Sequence, residues 1–363
     1  MSSLHLVRTA LLASGTVLML AAPLPAQAVT AKLKGSTLVV TGTDASEDVT
    51  FSNALLPSGG GGSSGGDTVV ITPESGTTIN GGPGPVTFDN VKKLKVNLAE
   101  TEDFITFQEF TFGGTITVHC DDGNDFTEFQ DCTLGGAVKL FGEANDDVFE
   151  LDQCTLNGAF KIVGDTGQLE VLLSDCTFGD NVTIVGGPGD DFVSLSDVGV
   201  SANFKANLQA GADTVDFDNV SIGEDTSLKM SLGDNSFHCT GPTQFGAKLT
   251  YTGGKGDDSI DVSDAQIGET LDITLGPGNN SVTLASVADD MEVGEKLLVS
   301  GGSGNDSITL NDADGSGIPA FGVGSDVKLN LATGANTVTM TGFTQLAGLS
   351  ISCGALGDVI GLY

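Results

Sequence analysis

The sequence has 363 residues and a formal net charge of -34, with 48 acidic against 14 basic residues and an isoelectric point near 4.1. That charge repels DNA, RNA and anionic membranes, and excludes them as partners. Arg8 is the only arginine, there is no tryptophan, and the aromatic content is almost all phenylalanine. Bidentate capture of phosphate or uronate, and aromatic stacking on saccharides, are therefore poorly provided for.

Residues 1–28 have the pattern of a secretory signal peptide. Arg8 precedes an apolar run from Ala10 to Ala22, and Ala26-Gln27-Ala28 supplies a small-x-small cleavage signal. The run is short for a membrane span. The expectation is a protein secreted to the extracellular space or cell surface after cleavage near Ala28, with no membrane insertion.

From residue 29 to 85 the short β-like runs Leu38-Val39-Val40 and Val49-Thr50-Phe51 are followed by PSGGGGSSGG, a flexible-linker composition. The stretch holds too few apolar residues for a core of its own. It is expected to form an N-terminal cap and irregular first turns carrying a Gly/Ser-rich insertion.

From 86 to 363 one apolar pattern returns at intervals close to 22: FITFQEFTFGG, FTEFQDCTLGG, VFELDQCTLNG and VLLSDCTFGD. Cys132, Cys154 and Cys176 fall in one column with Phe110. Three families of apolar doublets run through the repeat, as in Ile105/Phe107, Cys132/Leu134 and Val138/Leu140. The second family thins out after Val220/Ile222. A spacing of two marks strands with alternate residues inward. No unit this short buries its apolar side alone, whereas stacked units share a core. The predicted fold is all-β: a right-handed parallel β-helix solenoid with three faces, about 22 residues per turn and roughly a dozen turns. An antiparallel sandwich would not keep like residues in fixed columns. Between Asp306 and Asn336 the interval lengthens to 30, and Asn311 to Gly324 is expected to bulge as a loop.

A polar column precedes the first doublet: Asp103, Asp125, Asp147, Asp191, Asp213, Asn235, Asp258, Asn280, Asp306, Asn336 and Asp358, interrupted by Leu169. Asp and Asn suit turns because they bond local amides and accept left-handed backbone. Carboxylates stacked one turn apart repel, so neutralisation by protons, asparagines or cations is expected. GGPGDDFVS at Gly186, GGKGDDSID at Gly253 and GGSGNDSIT at Gly301 resemble the G-G-x-G-x-D-x-U-x nonapeptide of the RTX calcium-binding family. The resemblance implies Ca²⁺ held by oxygen ligands. Its acids would be Asp191, Asp258 and Asp306, with Asp190 and Asp257 beside them, and Asp257, Asp258 and Asp306 are expected to share an ion.

Cysteines in register on parallel strands stand ~4.8 Å apart at Cβ, beyond the ~3.8 Å of a disulfide, so buried thiols are expected. His119 and His238 lack zinc-ligand spacing. Lys95, Lys139, Lys161, Lys205, Lys229 and Lys328 form a sparse outward basic row that is expected to be a solvated face.

These features favour an exported, non-catalytic structural, adhesive or surface/matrix protein, with a cell-surface partner, an extracellular polysaccharide, or another copy at the C-terminal solenoid edge. The alternative is a polysaccharide lyase or glycoside hydrolase. With 48 acids some carboxylate pair will always seem eligible, so that signal has little specificity.

Overall fold

The computed structural model describes residues 27–53, 66–312, 321–342, 348–354 and 357–363. These form strands and turns without a helix. Two 15-stranded sheets and one 10-stranded sheet are wound into a parallel β-solenoid of about 12 turns. The first sheet runs from the N-terminal strands through Lys93–Asn97 and Thr115–His119 to Gly348–Cys353. The second contains Asp48–Ser52, Phe104–Gln108 and Phe126–Gln130, and ends on Val359–Leu362. Two- and three-residue strands from Thr111–Phe112 to Phe321–Val323 make the third.

The doublets explain the winding. In Phe104–Gln108, Ile105 and Phe107 are buried while Phe104, Thr106 and Gln108 alternate outward. The next strand repeats this in register, with Phe104 opposite Phe126 and Phe107 opposite Phe129. Like residues therefore meet inside: the Phe107 ring lies 4.7 Å from Phe51 and 4.2 Å from Phe129, stacked on both. Cys132, Cys154 and Cys176 share one buried line, and each Sγ points at carbonyls of its own or the preceding coil, as from Cys154 to Phe129 at 3.4 Å. All six cysteines are free thiols.

Between the second and third sheets the chain turns on a left-handed residue in most coils. Glu109, Asp131, Gln153, Asp175, Asp197, Asn219 and Asp264 have φ between 47° and 56°. Asp and Asn tolerate this region best. The N–H of each is directed to a carbonyl of the next coil, as from Asp131 to Asp152 at 3.1 Å.

Three details differ from the reading of the sequence. The second doublet family does not thin out: Thr243/Phe245, Ala265/Ile267, Met291/Val293 and Phe321/Val323 continue it, all buried. Thr243 and Ala265 hide the pattern because one is polar and the other small. The expected bulge at 311–324 is only partly loop, since Asn311 and Asp312 extend a second-sheet strand and Phe321–Val323 is a third-sheet strand; 313–320 lie outside the described residues. Lys229 stands beside, not in, the lysine column, because it pairs with Asn207, whereas Lys205 pairs with Thr183.

Parallel coiling already begins inside the stretch expected to be cap. Thr37–Thr41 pairs in parallel with Lys93–Asn97, and Asp48–Ser52 with Phe104–Gln108. Antiparallel partners cover these first strands: Ala28–Lys34 on one sheet, Asp67–Pro73 and then Val86–Val91 on the other. Of the expected leader, Gln27 and Ala28 are described, and Ala28 opens the first strand; most of the Gly/Ser-rich segment, 54–65, lies outside the described residues.

Candidate functional site

The column of acidic and amide residues is the most organised polar feature. It lies just before each second-sheet strand, and Asp103, Asp125, Asp147, Asp191, Asp213, Asn235, Asp258, Asn280, Asp306 and Asn336 are only 0–3% exposed. Each Oδ1 accepts the backbone N–H of the preceding column member. Asp103 accepts from Glu47 at 2.6 Å, Asp125 from Asp103 at 2.7 Å, and Asp147 from Asp125 at 3.1 Å. The series continues through Asp191 from Leu169 at 2.9 Å, Asp258 from Asn235 at 3.2 Å, Asp306 from Asn280 at 3.2 Å, and Asp358 from Asn336 at 2.8 Å. Leu169 cannot accept, and the Asp147 N–H turns instead to the Gln168 carbonyl at 2.9 Å. Asp and Asn interchange because both present the same Oδ1 acceptor.

A second ladder runs beside it, one residue earlier, exposed and of opposite sense. Here the side chain of one coil accepts from the N–H of the next: Asp146 from Gln168 at 2.9 Å, Asp190 from Ala212 at 2.7 Å, Asp234 from Asp257 at 2.8 Å, and Asp257 from Asn279 at 2.6 Å. Each coil is thus tied in both directions by side chains as well as by its strands.

The glycine-rich nonapeptide-like stretches follow from this packing. A Cβ at Gly186 would overlap Oδ2 of Asp191, one at Gly253 Oδ2 of Asp258, and one at Gly301 Oδ2 of Asp306. The first glycine of each stretch therefore clears the space into which the carboxyl folds back.

Burial governs the charge of the inner column. It lifts the carboxyls of Asp103 and Asp147 to about 8, those of Asp125 and Asp213 to about 7, and those of Asp191 and Asp258 to about 6, against backbone hydrogen bonds that favour the ionised form. Desolvation raises Asp306 as well. The second oxygens of Asp103, Asp125, Asp213, Asp258 and Asp306 are buried without a hydrogen-bond partner. A proton on such an oxygen makes the carboxyl a close mimic of asparagine, whose Nδ2 in Asn280 donates to Gly276 O at 3.1 Å and Gly278 O at 3.3 Å.

The five acids of the calcium reading divide between the ladders. Asp191, Asp258 and Asp306 are in the inner one; Asp190 and Asp257 are in the outer. Asn280 stands between Asp258 and Asp306, which places those carboxyls two strand spacings apart, ~9.6 Å, whereas oxygens on one Ca²⁺ lie within ~5 Å of each other. Asp257 accepts the Asn279 N–H at its Oδ1 on the outer side. These residues do not fit a single shared ion, and among the described residues no group of three or more His, Cys, Asp or Glu could hold a metal.

Outside the ladders, Glu128, buried at 8% exposure, and the half-buried Glu150 are register partners on neighbouring strands of the second sheet. Desolvation, with Glu128, Asp152 and Glu170 close by, raises the Glu150 carboxyl to about 7. His119 bonds Glu143 through Nδ1 at 2.8 Å and stacks on Phe141 at 4.6 Å. The left-handed turn column was not singled out from sequence, and of the outer ladder the acids were named without their bonds; the recurrence of an acid or amide three residues before a buried Phe, Leu, Val or Ile of the third sheet was the available signal for the turn column.

No protein-family model matches this chain, and no curated protein or solved structure matches it. Among the described residues no helix is long and apolar enough to cross a membrane.

Proposed function

We propose that this chain is an exported, non-catalytic rod that serves as a structural or adhesive component of a cell surface or extracellular matrix. The observation that carries the reading is the pair of opposed ladders. The acids that a lyase or hydrolase would present to substrate are here bonded to the backbone of adjacent coils, and the inner set is buried. Export rests on the leader pattern of residues 1–28. A partner or second copy at the C-terminal edge is part of the same reading, since Gly348–Cys353 and Val359–Leu362 are edge strands and Val359, Ile360 and Leu362 are 48–61% exposed. Fractionation of the producing cells tests it: the expected result is a chain beginning just after Ala28 in the envelope or matrix, and recovery from the cytosol with residues 1–28 intact would end the proposal.

A polysaccharide hydrolase is the second reading, favoured by one observation, the Glu128/Glu150 pair with Glu150 raised to about 7. A carboxyl held near neutrality can act as a general acid. Release of reducing ends from acidic or neutral polysaccharides, abolished by Glu150→Gln, would establish it in place of the rod.

A further inference from the structure

The outer surface of the first sheet departs from the acidity of the rest of the chain. Its successive strands from Ala28–Lys34 to Thr226–Lys229 contain only two acids, Glu143 and Asp165, both near the far ends of their strands, and Glu143 is bonded to His119. Lys32, Lys95, Lys139, Lys161 and Lys205 share one outward column, with Val39, Thr117 and Thr183 in the places between them. All five lysines are exposed and, among the described residues, make no ion pair. From Lys32 to Lys205 the column runs ~34 Å at the strand spacing of ~4.8 Å. In the next outward column His119, Phe141, Val163 and Val185 form a half-buried row, with the His119 and Phe141 rings stacked at 4.6 Å. Acids resume at both corners of the sheet: Asp146 and Asp190 of the outer ladder at one, Glu224 and Asp225 just before Thr226–Lys229 at the other.

We propose that this strip binds a single chain of an acidic extracellular polysaccharide, a polyuronate, laid along the rod axis. The inference rests on the rod reading above and names its partner. Lysines recur one or two strand spacings apart, ~4.8 or ~9.6 Å, so a polymer with a carboxylate on each sugar meets ammonium groups repeatedly along a straight path. Thr117 and Thr183 place hydroxyls between the lysines, where sugar hydroxyls can bond. Phe141, Val163 and Val185 offer an apolar surface for the C–H faces of the sugar rings to cover. The net charge does not forbid this contact, because charges beyond ~8 Å are screened at physiological salt, and a strand of five residues, ~16 Å long, sets the corners about that far from the column. The same width selects the partner. A single saccharide chain fits between the acidic corners, whereas a membrane or a duplex would bring its phosphates against Asp146, Asp190, Glu224 and Asp225. Duplex DNA also carries a charge every ~1.7 Å, far denser than these lysines. Without arginine each contact is a hydrated point charge, so affinity comes from many weak contacts along one polymer.

Titration of the full chain with fluorescently labelled polygalacturonate tests this, with circular dichroism checking the fold of each variant. The wild-type chain is expected to bind at ~50 mM salt and to weaken at least ~tenfold by ~200 mM. Lys139→Glu with Lys161→Glu is expected to lose about tenfold in affinity, and Lys139→Gln with Lys161→Gln, which replaces it should it misfold, roughly threefold. Lys255→Glu with Lys296→Glu makes the same change in net charge on turns outside the column and is expected to stay within about twofold of wild type. No binding by the wild-type chain at low salt, an equal loss from the Lys255 and Lys296 pair, or equal binding of neutral dextran, duplex DNA or anionic vesicles would overturn the proposal and leave an exported rod intact; a cytosolic chain would end the rod reading whatever it binds.

Discussion

Asp125→Asn tests the charge state of the inner ladder directly. In the unfolded chain this carboxyl ionises near its usual value of 3.8; folding buries it and raises it to about 7. Below pH ~4 both states hold the proton, and from there up to pH ~7 only the folded state does. Unfolding then releases a proton, so this group's contribution is fully present in acid and is lost as pH rises through 7. At ~1.4 kcal/mol for each tenfold in proton affinity, carrying the acid into the fold at pH 7 costs at most ~4 kcal/mol, and ~2 kcal/mol once partial solvation at the sheet corner is allowed for. Asparagine keeps the Oδ1 that accepts from Asp103 N–H at 2.7 Å and removes the titration. Its Nδ2 can reach the carbonyls of Asp121 and Gly123, which precede it as Gly276 and Gly278 precede Asn280. Urea unfolding at pH 4 and pH 8 is expected to show the variant ~2 kcal/mol more stable at pH 8 and little changed at pH 4. Asp125→Ala, which strands the Asp103 N–H, is expected to lose ~1–3 kcal/mol at both. An Asn variant no more stable than wild type at pH 8 would refute the protonated-ladder argument.

Three further outcomes are expected. Gly253→Ala drives a methyl into Oδ2 of Asp258 and is expected to cost ~1–3 kcal/mol in urea unfolding, whereas Gly199→Ala, with open space at the new Cβ, should cost less than ~1 kcal/mol. Millimolar Ca²⁺ added to chelator-stripped protein is expected to leave its melting temperature unchanged, because Asp257, Asp258 and Asp306 do not converge; a rise, or heat in calorimetry, would restore the shared-ion reading. Alkylation without reductant is expected to label only the partly exposed Cys353 in the native protein and all six cysteines after denaturation; fewer on denaturation would mean disulfides.

The winding was legible because each inward residue has to match the one above it, which writes the strand spacing into the sequence as a period near 22. Ile105/Phe107 and Leu94/Val96 announce their strands without ambiguity. Thr243 and Ala265 did not, since a hydroxyl that donates to Thr240 O and a small side chain fill buried places without an apolar signature. The acids at 258 and 306 could be placed in a column but not oriented. Side chains one residue apart on a turn point to opposite sides, so Asp257 and Asp258, adjacent in sequence, belong to separate ladders. The G-G-x-G-x-D spelling records the room an inward carboxyl needs as well as it could record an ion.

The opposed ladders have a consequence for how such a molecule changes size. A bond from residue 125 to residue 103 is replaced without loss by one from 147 to 103 when 22 residues are cut out, because these neighbouring coils present the same acceptor and the same donor to one another. Coils of 23, 26 and 30 residues keep both files of bonds in phase because the extra residues fall between strands, whereas an excision that shifts a strand by one residue throws the bonds and the pleat out of phase at once. Length in this architecture is quantised: it can be lengthened or shortened by gene-level duplication in steps of one coil, ~4.8 Å each, like marks on a ruler.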